Sequence, residues 1–243
     1  GAVDVATGRT TGNFTPCATT TMAAEKAKTI SQIRQIRLIG EDIKAEEIKV
    51  FKDKLEFKVF KGLKFQKMTA HLLGRQNVEN ILGAIVVAQY LGMNLEEIAK
   101  AVEKLEAPEK TMRLCKLGEL GKLGSLIDDT FNANPDGVLA AIEYMKVYTG
   151  KKILVLTPMI ELGEAAKEAH QKVGQLAGEV CDLVILTNKN YYEDFTKGVK
   201  MDKREKVIIS SGEKAAEKVK AILDEDGVAV FEGKEAGRIL NDY

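Results

Sequence analysis

Tryptophan is absent from the 243 residues, and aromatic side chains make up only 6% of them. A surface that stacks bases or sugars on aromatic rings is therefore not expected. Net charge is also lacking, since 36 Lys and Arg residues balance 36 Asp and Glu residues. This balance gives no general reason to expect a nucleic acid or an anionic membrane as a partner.

Long apolar runs and a cysteine framework are missing as well. The longest apolar run, Ile81 to Ala88, is too short to cross a bilayer, and no signal peptide is recognised at the start. The three cysteines, Cys17, Cys115 and Cys181, are odd in number and lack the spacing of a metal site. Such thiols are typical of a reducing compartment. We therefore expect a cytoplasmic protein in which this chain supplies no metal-binding residue.

A phosphate-binding loop of the Walker type is not found either. Gly8 and Gly12 lie in a stretch rich in Gly and Thr, but Gly12 is followed by Asn13 and Phe14. A Walker loop needs a Lys and then a Ser or Thr at these places, because the Lys reaches the phosphates and the hydroxyl binds magnesium. Residues 1–32 are therefore predicted to form an irregular N-terminal arm.

The first regular part of the chain has the pattern of a small α+β unit. Apolar and polar residues alternate over 55–60, which predicts a half-buried strand, paired across a tight turn with a strand at 48–51. A further strand is expected over 63–68, so that the three strands form an antiparallel meander. The apolar residues of 77–105 recur with the period of two helices, and Asn94 suits the N-cap of the second.

After Pro108 the pattern changes to strands that alternate with helices. The strands begin near residues 125, 152, 183, 207 and 228. Strands such as Ile153 to Leu156 are apolar on both faces, which is typical of a parallel sheet covered by helices on both sides. The sequence therefore predicts a doubly wound, Rossmann-like, mostly parallel α/β domain over residues 111–243. A partial α+β domain over residues 33–110, with the meander and the two helices, is predicted to precede it.

A polar elbow over residues 126–137 marks the start of the second domain. Its strand ends on Asp128 and Asp129, whose side chains point to opposite faces, so only one of them can face a crevice. Asn134 suits an N-cap, and Pro135 suits the first helical position. Ligands bind at the carboxyl edge of open α/β sheets, so this elbow is the first candidate site.

Four segments, in order, resemble motifs of the Mur ligase family. Residues 73–84 resemble a Gly-x-His-Asn-x-x-Asn-x-x-Ala segment near the end of the family's central ATP-binding domain, and the elbow resembles the start of its C-terminal domain. Glu161-Leu162-Gly163, with His170 on the following helix, resembles a third motif. Glu232-Gly233-Lys234 resembles a fourth motif, a Lys-Gly-Ser-like segment that is the last of the family's motifs. The resemblance extends from about residue 33 to the end of the chain.

The resemblance implies an ATP-dependent, amide-forming ligase of peptidoglycan precursor synthesis. Such a ligase adds D-alanyl-D-alanine to a UDP-muramoyl tripeptide, and these two molecules are the partners that the resemblance implies, without nucleic acid or membrane. In that family ATP, with Mg²⁺, phosphorylates a carboxylate of the substrate. The amine of the dipeptide then attacks the acyl phosphate, phosphate leaves and an amide forms, in a site closed against water.

The resemblance also implies roles for individual residues. Those expected beside the nucleotide are Asn77 and Asn80 at the adenine, Asp129 at the ribose, and Arg113 or Lys110 in place of an arginine of the family. Those expected at the substrate are Asn132, Asn134 and Lys234, with His170 as the catalytic group near the acceptor. From the residues alone, Asn77 and Asn80 equally fit a helix N-cap and a surface amide, and His170 equally fits a surface or packing residue.

Several family features are absent from the sequence. No Walker loop or N-terminal UDP-binding domain is recognised, Glu109-Lys110-Thr111 stands where the family has Pro-Gly-Arg, and Gln76 stands where it has His. Lys and Arg are not equivalent at a bidentate site. The chain is therefore expected to be the C-terminal half of a ligase, inactive alone and completed by an ATP-binding half. Two alternatives stay open: a non-catalytic binding or regulatory relative that lost the phosphate loop, and another Mur or folylpolyglutamate-type ligase.

Overall fold

The computed structural model describes residues 43–115 and 124–241 of the chain. These residues form two β-sheets with helices packed against them, and both sheets belong to one compact unit. The predicted N-terminal arm, 1–32, lies outside the described residues. The domain boundary predicted near residue 110 stays a prediction.

The first sheet is the antiparallel meander that the alternation of apolar residues predicts. Its strands are β1 (Ile43–Val50), β2 (Leu55–Lys61) and β3 (Lys64–Ala70), in that order across the sheet. Leu55, Phe57 and Val59 of β2 are buried, because every second side chain of a strand points to the same face. The buried face packs against two helices, α1 (Gln76–Tyr90) and α2 (Leu95–Val102).

Asn94 begins α2 with a capping box. Its side chain accepts hydrogen bonds from the backbone N–H groups of Glu96 and Glu97, both at 3.0 Å. The Glu97 carboxylate in return accepts from the backbone N–H of Asn94 at 2.9 Å. These bonds satisfy N–H groups that a helix start leaves without partners, so the predicted N-cap is confirmed.

The second sheet is mostly parallel. Its strands are β4 (Arg113–Leu114), β5 (Ser125–Asp129), β6 (Lys152–Leu156), β7 (Leu183–Leu186), β8 (Val207–Ile209) and β9 (Val228–Glu232). The helices are α3 (Pro135–Met145), α4 (Ala166–Val180), α5 (Tyr192–Gly198), α6 (Gly212–Ile222) and α7 (Lys234–Asn241). Short 3₁₀ turns cover Gly163–Ala165 and Met201–Lys206. The strand order is β4-β5-β9-β6-β7-β8, and only β4 pairs antiparallel.

Both faces of the second sheet are buried. Leu154 and Leu156 of β6 face the core formed with α3, α4 and α5, whereas Ile153 and Val155 face the core formed with α6 and α7. Apolar side chains on both faces of a strand therefore have helices to pack against, as the sequence pattern requires. The predicted fold class, a doubly wound α/β sheet beside a small antiparallel α+β unit, is confirmed.

The strand order creates a switch point at the carboxyl edge of the second sheet. The chain runs from β5 to β6 to β7 to β8 with helices on one face, then returns through α6 on the other face to place β9 between β5 and β6. The helices that follow β6 and β9 therefore leave on opposite faces. Such a divergence opens a crevice beyond the strand ends, where open α/β sheets bind ligands.

Two local features differ from the sequence pattern. Residues 113–114 form an edge strand, β4, with Arg113 in register opposite Asp128, although no strand is predicted there. A two-residue strand is too short to show any alternation. In β1 the register shifts between Glu46 and Lys49, and Glu47 has a left-handed φ of 54°. In the described part of the chain, no helix is both long enough and apolar enough to cross a lipid bilayer.

Candidate functional site

A cleft of about 540 Å³ lies at the switch point between β6 and β9, and we call it the sheet-edge cleft. Its lining comes from Phe131 to Ala133 after β5, Thr157 to Glu161 after β6, Asn188 and Asn190 after β7, and Gly233, Lys234, Glu235 and Arg238 around the start of α7. Segments that follow four different parallel strands therefore meet at one place, as the topology requires.

The hydroxyl of Thr157 fixes the start of α7 against the end of β6. Its Oγ1 accepts hydrogen bonds from the backbone N–H groups of Glu235 at 3.1 Å and Ala236 at 3.0 Å. Both groups belong to the first turn of α7, where N–H groups have no partner within the helix. Thr157 therefore caps a helix from which it is distant in sequence, and so joins two walls of the sheet-edge cleft.

Glu235 is held as an anion in the wall of the same cleft. Its Oε2 accepts hydrogen bonds from Thr187 Oγ1 at 2.6 Å and from Asn188 Nδ2 at 2.7 Å. These two bonds lower the pKa of Glu235 below its ordinary value. Lys234 and Arg238 line the cleft too, one helical turn apart, so charges of both signs face it.

A second cleft, of about 350 Å³, lies between the start of α1 and the end of β5, and we call it the α1 cleft. Asn77 lines it from α1, Asp129 from β5, and Met112 and Thr111 from the connection between the two sheets. The Asn77 amide donates to the Leu73 carbonyl at 2.8 Å, and the Asp129 carboxylate accepts from the Met112 N–H at 3.1 Å. Two side chains expected beside a nucleotide thus line one cleft.

Backbone strain is concentrated near the two clefts. Among the described residues, the non-glycine residues with left-handed φ are Glu47 (54°), Lys110 (61°), Met112 (42°), Glu161 (63°) and Tyr191 (56°). Lys110 and Met112 lie in the connection beside the α1 cleft, and Glu161 lines the sheet-edge cleft. Such conformations cost free energy and often occur at functional sites. No feature of the sequence signals them.

The side chains of Asp129 and Glu232 form a buried carboxyl pair. The two residues are in register on the neighbouring strands β5 and β9, so their side chains lie side by side on the same face of the sheet. Glu232 is only 1% exposed, and its Oε1 has no hydrogen-bond partner. Burial, together with the nearby charge of Asp129, raises the pKa of Glu232 well above its ordinary value. Burial also raises the pKa of Asp129.

His170 on α4 is fully buried, and both of its ring nitrogens are bonded to backbone atoms. Nε2 accepts from the Met159 N–H at 3.1 Å, so Nδ1 carries the proton and donates to the Ala166 carbonyl at 2.6 Å. The ring also stacks on Tyr191, with 4.3 Å between the centroids. This geometry favours a residue that positions two loops. The catalytic role of His170 that the resemblance implies stays a prediction, because no ring nitrogen is free to meet a substrate here.

The other predicted residues take different places. Asn132 and Lys234 line the sheet-edge cleft. The oxygen of Asn134 accepts from the Gly137 N–H at 2.9 Å, so this side chain caps α3 instead of lining the cleft. Asn80 is exposed, and its Nδ2 lies 3.4 Å from Oδ1 of Asn77. Arg113 is exposed on β4. Neither residue lines the α1 cleft. Their expected roles at a nucleotide stay predictions.

Sequence reasoning missed Thr157, Glu235 and Arg238 as parts of the site, and it read Glu232 only as part of a motif. Each of the first three is a common surface residue type in sequence, and only the strand order brings them together. Among the described residues, no group of three or more His, Cys, Asp or Glu side chains is placed to hold a metal ion.

Comparison with known proteins identifies relatives of this arrangement. The family model described as "Mur ligase, glutamate ligase domain" matches residues 112–234. The diaminopimelate-adding ligase of Clostridium tetani, UDP-N-acetylmuramoyl-L-alanyl-D-glutamate–2,6-diaminopimelate ligase, is 29% identical over 212 residues, which are 83% of this chain and 42% of that protein. The UDP-N-acetylmuramoyl-tripeptide–D-alanyl-D-alanine ligase of Haemophilus influenzae is 36% identical over 109 residues, which are 45% of this chain and 23% of that protein.

Solved structures share the fold. The MurF ligase of Thermotoga maritima, crystallised with ADP, aligns with a TM-score of 0.70 at 21% identity and covers 83% of this chain and 45% of its own. A MurF crystal structure from Acinetobacter baumannii aligns with a TM-score of 0.69 at 20% identity, with 82% and 43% covered. The chain thus spans less than half the length of these relatives.

Proposed function

The chain belongs to the Mur ligase family, and on this premise we propose that it forms the C-terminal part of an ATP-dependent ligase that adds D-alanyl-D-alanine to a UDP-muramoyl tripeptide. In this proposal the α1 cleft takes the nucleoside of ATP, and the sheet-edge cleft takes the incoming dipeptide. A phosphate-loop domain supplies the rest of the ATP site. The relatives named for this reaction motivate the choice of substrates.

One observation carries the nucleotide assignment: Asp129 and Asn77 line the same cleft from two different parts of the fold. The Asp129 carboxylate, which already accepts from the Met112 N–H, is an acceptor suited to a sugar hydroxyl. Asn77 carries an amide, which both donates and accepts, as the polar edge of a base requires. The cleft is therefore chemically matched to the nucleoside end of ATP.

The phosphate end of ATP has no comparable match in the chain. The sequence contains no Gly-Lys-Ser or Gly-Lys-Thr loop, and the described residues offer no acidic cluster that would hold Mg²⁺. We therefore assign the phosphates and Mg²⁺ to the phosphate-loop domain and derive no step of the reaction through them from this chain. When bound there, ATP would supply the phosphoryl group that activates the substrate carboxylate, and Mg²⁺ would neutralise charge on the phosphates.

The sheet-edge cleft is suited to a dipeptide because it presents charges of both signs. The Glu235 carboxylate, kept ionised by Thr187 and Asn188, complements an ammonium group, and the side chains of Lys234 and Arg238 complement a carboxylate. Asn132 and Asn190 add neutral donors and acceptors. A zwitterion held in this way is oriented before its amine attacks, which converts a bimolecular step into an intramolecular one.

In the reaction, the amine nitrogen forms a bond to the activated carboxyl carbon, the bond from that carbon to the phosphate oxygen breaks, and the amine loses a proton. The residues of this chain bind and orient the dipeptide and exclude water from the acyl phosphate. In this proposal the connection with the left-handed residues Lys110 and Met112 is the hinge about which such a site closes.

The nucleotide assignment is tested by titrating the ¹⁵N-labelled chain with ADP. We expect amide shifts that centre on Asn77, Met112 and Asp129. Asp129→Asn keeps the shape of the side chain but removes its charge, and it should weaken ADP binding by about tenfold. Asp136→Asn makes the same chemical change at an exposed position of α3 and serves as the control. Shifts centred elsewhere would refute the assignment.

The ligase activity is tested with the chain joined to a phosphate-loop domain of the family. ADP release with the tripeptide substrate should require D-alanyl-D-alanine. The similarity to a diaminopimelate-adding ligase over 83% of the chain favours a second candidate, in which diaminopimelate is the amine that is added. Running the same assay with each amine separates the two, and activity with neither would sink both.

A non-catalytic relative is the alternative that the absent phosphate loop and Lys110 motivate. A protein of this kind binds no ADP at the α1 cleft and gives no ADP release with either amine. The titration above therefore decides between a ligase part and a regulatory relative before any assay of the complete reaction.

A further inference from the structure

Glu232 is a buried acid that the proposed reaction does not use. It is 1% exposed, its Oε1 has no hydrogen-bond partner, and it lies in register beside Asp129, which lines the α1 cleft. An ionised carboxylate in such a place is costly unless a cation neutralises it. The charged groups around the pair therefore decide its protonation.

From the β5 side, the groups nearest the pair are Asp128 and Arg113. Asp128 precedes Asp129 and adds a further negative charge, which also raises the pKa of Asp129. Oδ1 of Asp128 accepts hydrogen bonds from the backbone N–H of Thr130 at 3.1 Å and from its hydroxyl at 2.6 Å. Arg113 lies on β4 in register with Asp128, exposed, and so is one strand further from Glu232.

On its other edge β9 pairs with β6, where the register partner of Glu232 is Leu156, which is uncharged and fully buried. The sheet face of Leu156 is covered by α3, whose charged residues, Asp136 and Glu143, are both exposed. Helix α7 follows Glu232 in the chain and covers the opposite face. On α7, Lys234 is exposed, and the Glu235 carboxylate is bonded to Thr187 and Asn188. The charge that acts on Glu232 is that of Asp129, and it is of the same sign.

We propose that Glu232 stays protonated at neutral pH and donates this proton to Asp129, so that it positions the Asp129 carboxylate in the α1 cleft as an acceptor for the sugar hydroxyls of the nucleotide. The shared proton leaves the pair with a single negative charge. Two carboxyls at one site hold one proton with raised affinity, because both cannot ionise side by side. The role toward the nucleotide rests on the proposed function, whereas the shared proton does not.

A pH dependence follows from this arrangement. Burial raises the pKa of Glu232, so the acid form is favoured in the folded chain. As pH rises through that pKa, Glu232 releases its proton to solvent, and two like charges then lie side by side on neighbouring strands. Asp129 then loses its donor and is repelled from its place. The hydrogen bond from the Met112 N–H and the affinity for ADP should weaken together.

The first experiment follows the side-chain carboxyl carbons of Glu by ¹³C NMR in the whole 243-residue chain, from about pH 4 to about pH 9. The Glu232 carbon should titrate far above the carbon of Glu235, whose pKa is lowered by its hydrogen bonds. Glu235 is thus an internal control in the same sample. A Glu232 carbon that titrates in the ordinary acidic range overturns the proposal, and this arm needs no variant.

The second experiment compares Glu232→Gln with Glu232→Leu. The amide of Gln replaces the donor without a titratable proton, so the Met112 N–H should stay protected from hydrogen exchange at all pH values. Leu fills the space but donates nothing, and this amide should exchange about tenfold faster. Glu225→Gln, at an exposed turn, is the control. Equal behaviour of the Gln and Leu variants refutes a positioning role.

The third experiment measures ADP affinity of the same proteins against pH. The wild-type affinity should fall as pH rises through the Glu232 titration, the Gln variant should show no such fall, and the Leu variant should bind about tenfold more weakly throughout. An affinity that follows pH equally in wild type and Glu232→Gln overturns the proposal. If the wild-type chain binds no ADP at any pH, the proposed nucleotide site fails, and the carboxyl titration and Met112 exchange still decide the shared proton.

Discussion

The hydroxyl of Thr157 accepts hydrogen bonds from the N–H groups of Glu235 at 3.1 Å and Ala236 at 3.0 Å, although these residues lie 78 and 79 positions further along the chain. A side chain at the end of one parallel strand thus caps the helix that follows the neighbouring strand. These two hydrogen bonds stabilise the first turn of α7. They also fix the distance between two walls of the sheet-edge cleft, because Thr157 and Glu235 both line that cleft.

Thr157→Val should therefore destabilise the chain by about 1 kcal/mol, since it leaves two N–H groups of the first turn of α7 without their acceptor. Val keeps the size and branching of Thr, so packing changes little. The free energy of unfolding in urea measures the effect. Thr157→Ser retains the hydroxyl and is the matched control, which should lie closer to wild type. Equal stability of the Val variant and wild type would show that Thr157 is not the cap.

Gly233, directly before α7, is a position where a side chain meets two obstacles. Its φ is +81°, and a Cβ built there would lie 2.8 Å from Thr157 Cβ and 3.2 Å from Ala133 Cβ. Gly212 has a left-handed φ of +54° as well, but a Cβ there meets nothing within 4 Å. Substitution of these two glycines by Ala therefore separates two contributions to the loss of stability: the left-handed backbone, present at both, and steric crowding, present only at Gly233.

Gly212→Ala should cost about 1 kcal/mol, which is the conformational penalty of a left-handed L-residue. Gly233→Ala should cost about 2 kcal/mol or more, because crowding against Thr157 and Ala133 adds to the same penalty. Thermal and urea unfolding of the two variants measure the difference. Equal losses in the two variants would mean that the sheet-edge cleft yields to an added methyl group.

Tyr144 of α3 links the second sheet's helical layer to the turn between β1 and β2. Its hydroxyl donates to the Lys52 carbonyl at 2.8 Å, and burial raises the pKa of Tyr144, so the phenol remains a donor in the physiological range. Tyr144→Phe should lower the free energy of unfolding by about 1 kcal/mol. Tyr192→Phe is the control, because the Tyr192 bond to the Val207 carbonyl is 3.4 Å long and should contribute less.

Hydrogen exchange of the backbone amides shows whether Tyr144→Phe destabilises only the β1–β2 turn or the whole chain. Faster exchange confined to the β1–β2 turn in Tyr144→Phe identifies the Lys52 contact as one link between this turn and α3, besides the Lys52–Asp226 ion pair. Unchanged exchange at this turn would contradict that assignment, even if the overall stability fell.

Much of this fold is visible in the sequence because apolar periodicity reports burial directly. The strand Ser125–Asp129 is predicted and observed with the same bounds, and the strand Ile153 to Leu156, apolar on both faces, does lie between two helical layers. Asn94 and Asn134 are N-caps as predicted, because capping depends on a few neighbouring residues. The edge strand Arg113–Leu114 left no signal, since two residues cannot alternate.

The clefts are less predictable, because residues far apart in sequence form them. Strand ends near Asp129 are expected to bind ligands, but which strand lies beside β5 is not encoded locally. Only the return of β9 between β5 and β6 brings Glu232 beside Asp129 and Thr157 beside α7. Lys110 and Met112 have left-handed conformations that neither residue type suggests, and the backbone of each bonds to the end of β5 or the residues after it.

His170 provides the prediction that separates a positioning residue from a reacting one. Replacement by Phe keeps the stacking on Tyr191 but removes the acceptor for the Met159 N–H and the donor to the Ala166 carbonyl. His170→Phe should therefore lower the free energy of unfolding at neutral pH by about 2 kcal/mol. His71→Gln, at the exposed second histidine, is the control and should change stability little.

The pH dependence of stability tests whether the ring of His170 is neutral in the folded chain. Burial lowers its pKa below the ordinary 6.5, so the folded chain favours the neutral ring and the unfolded chain binds the proton more readily. The stabilisation is therefore complete above pH 6.5 and declines as pH falls below it toward the pKa in the folded state. The difference between wild type and His170→Phe should shrink as the pH is lowered, as measured by urea unfolding across this range. A difference that grows on acidification would contradict a buried neutral ring. A ligase activity lost in His170→Phe at full stability would instead support the catalytic role.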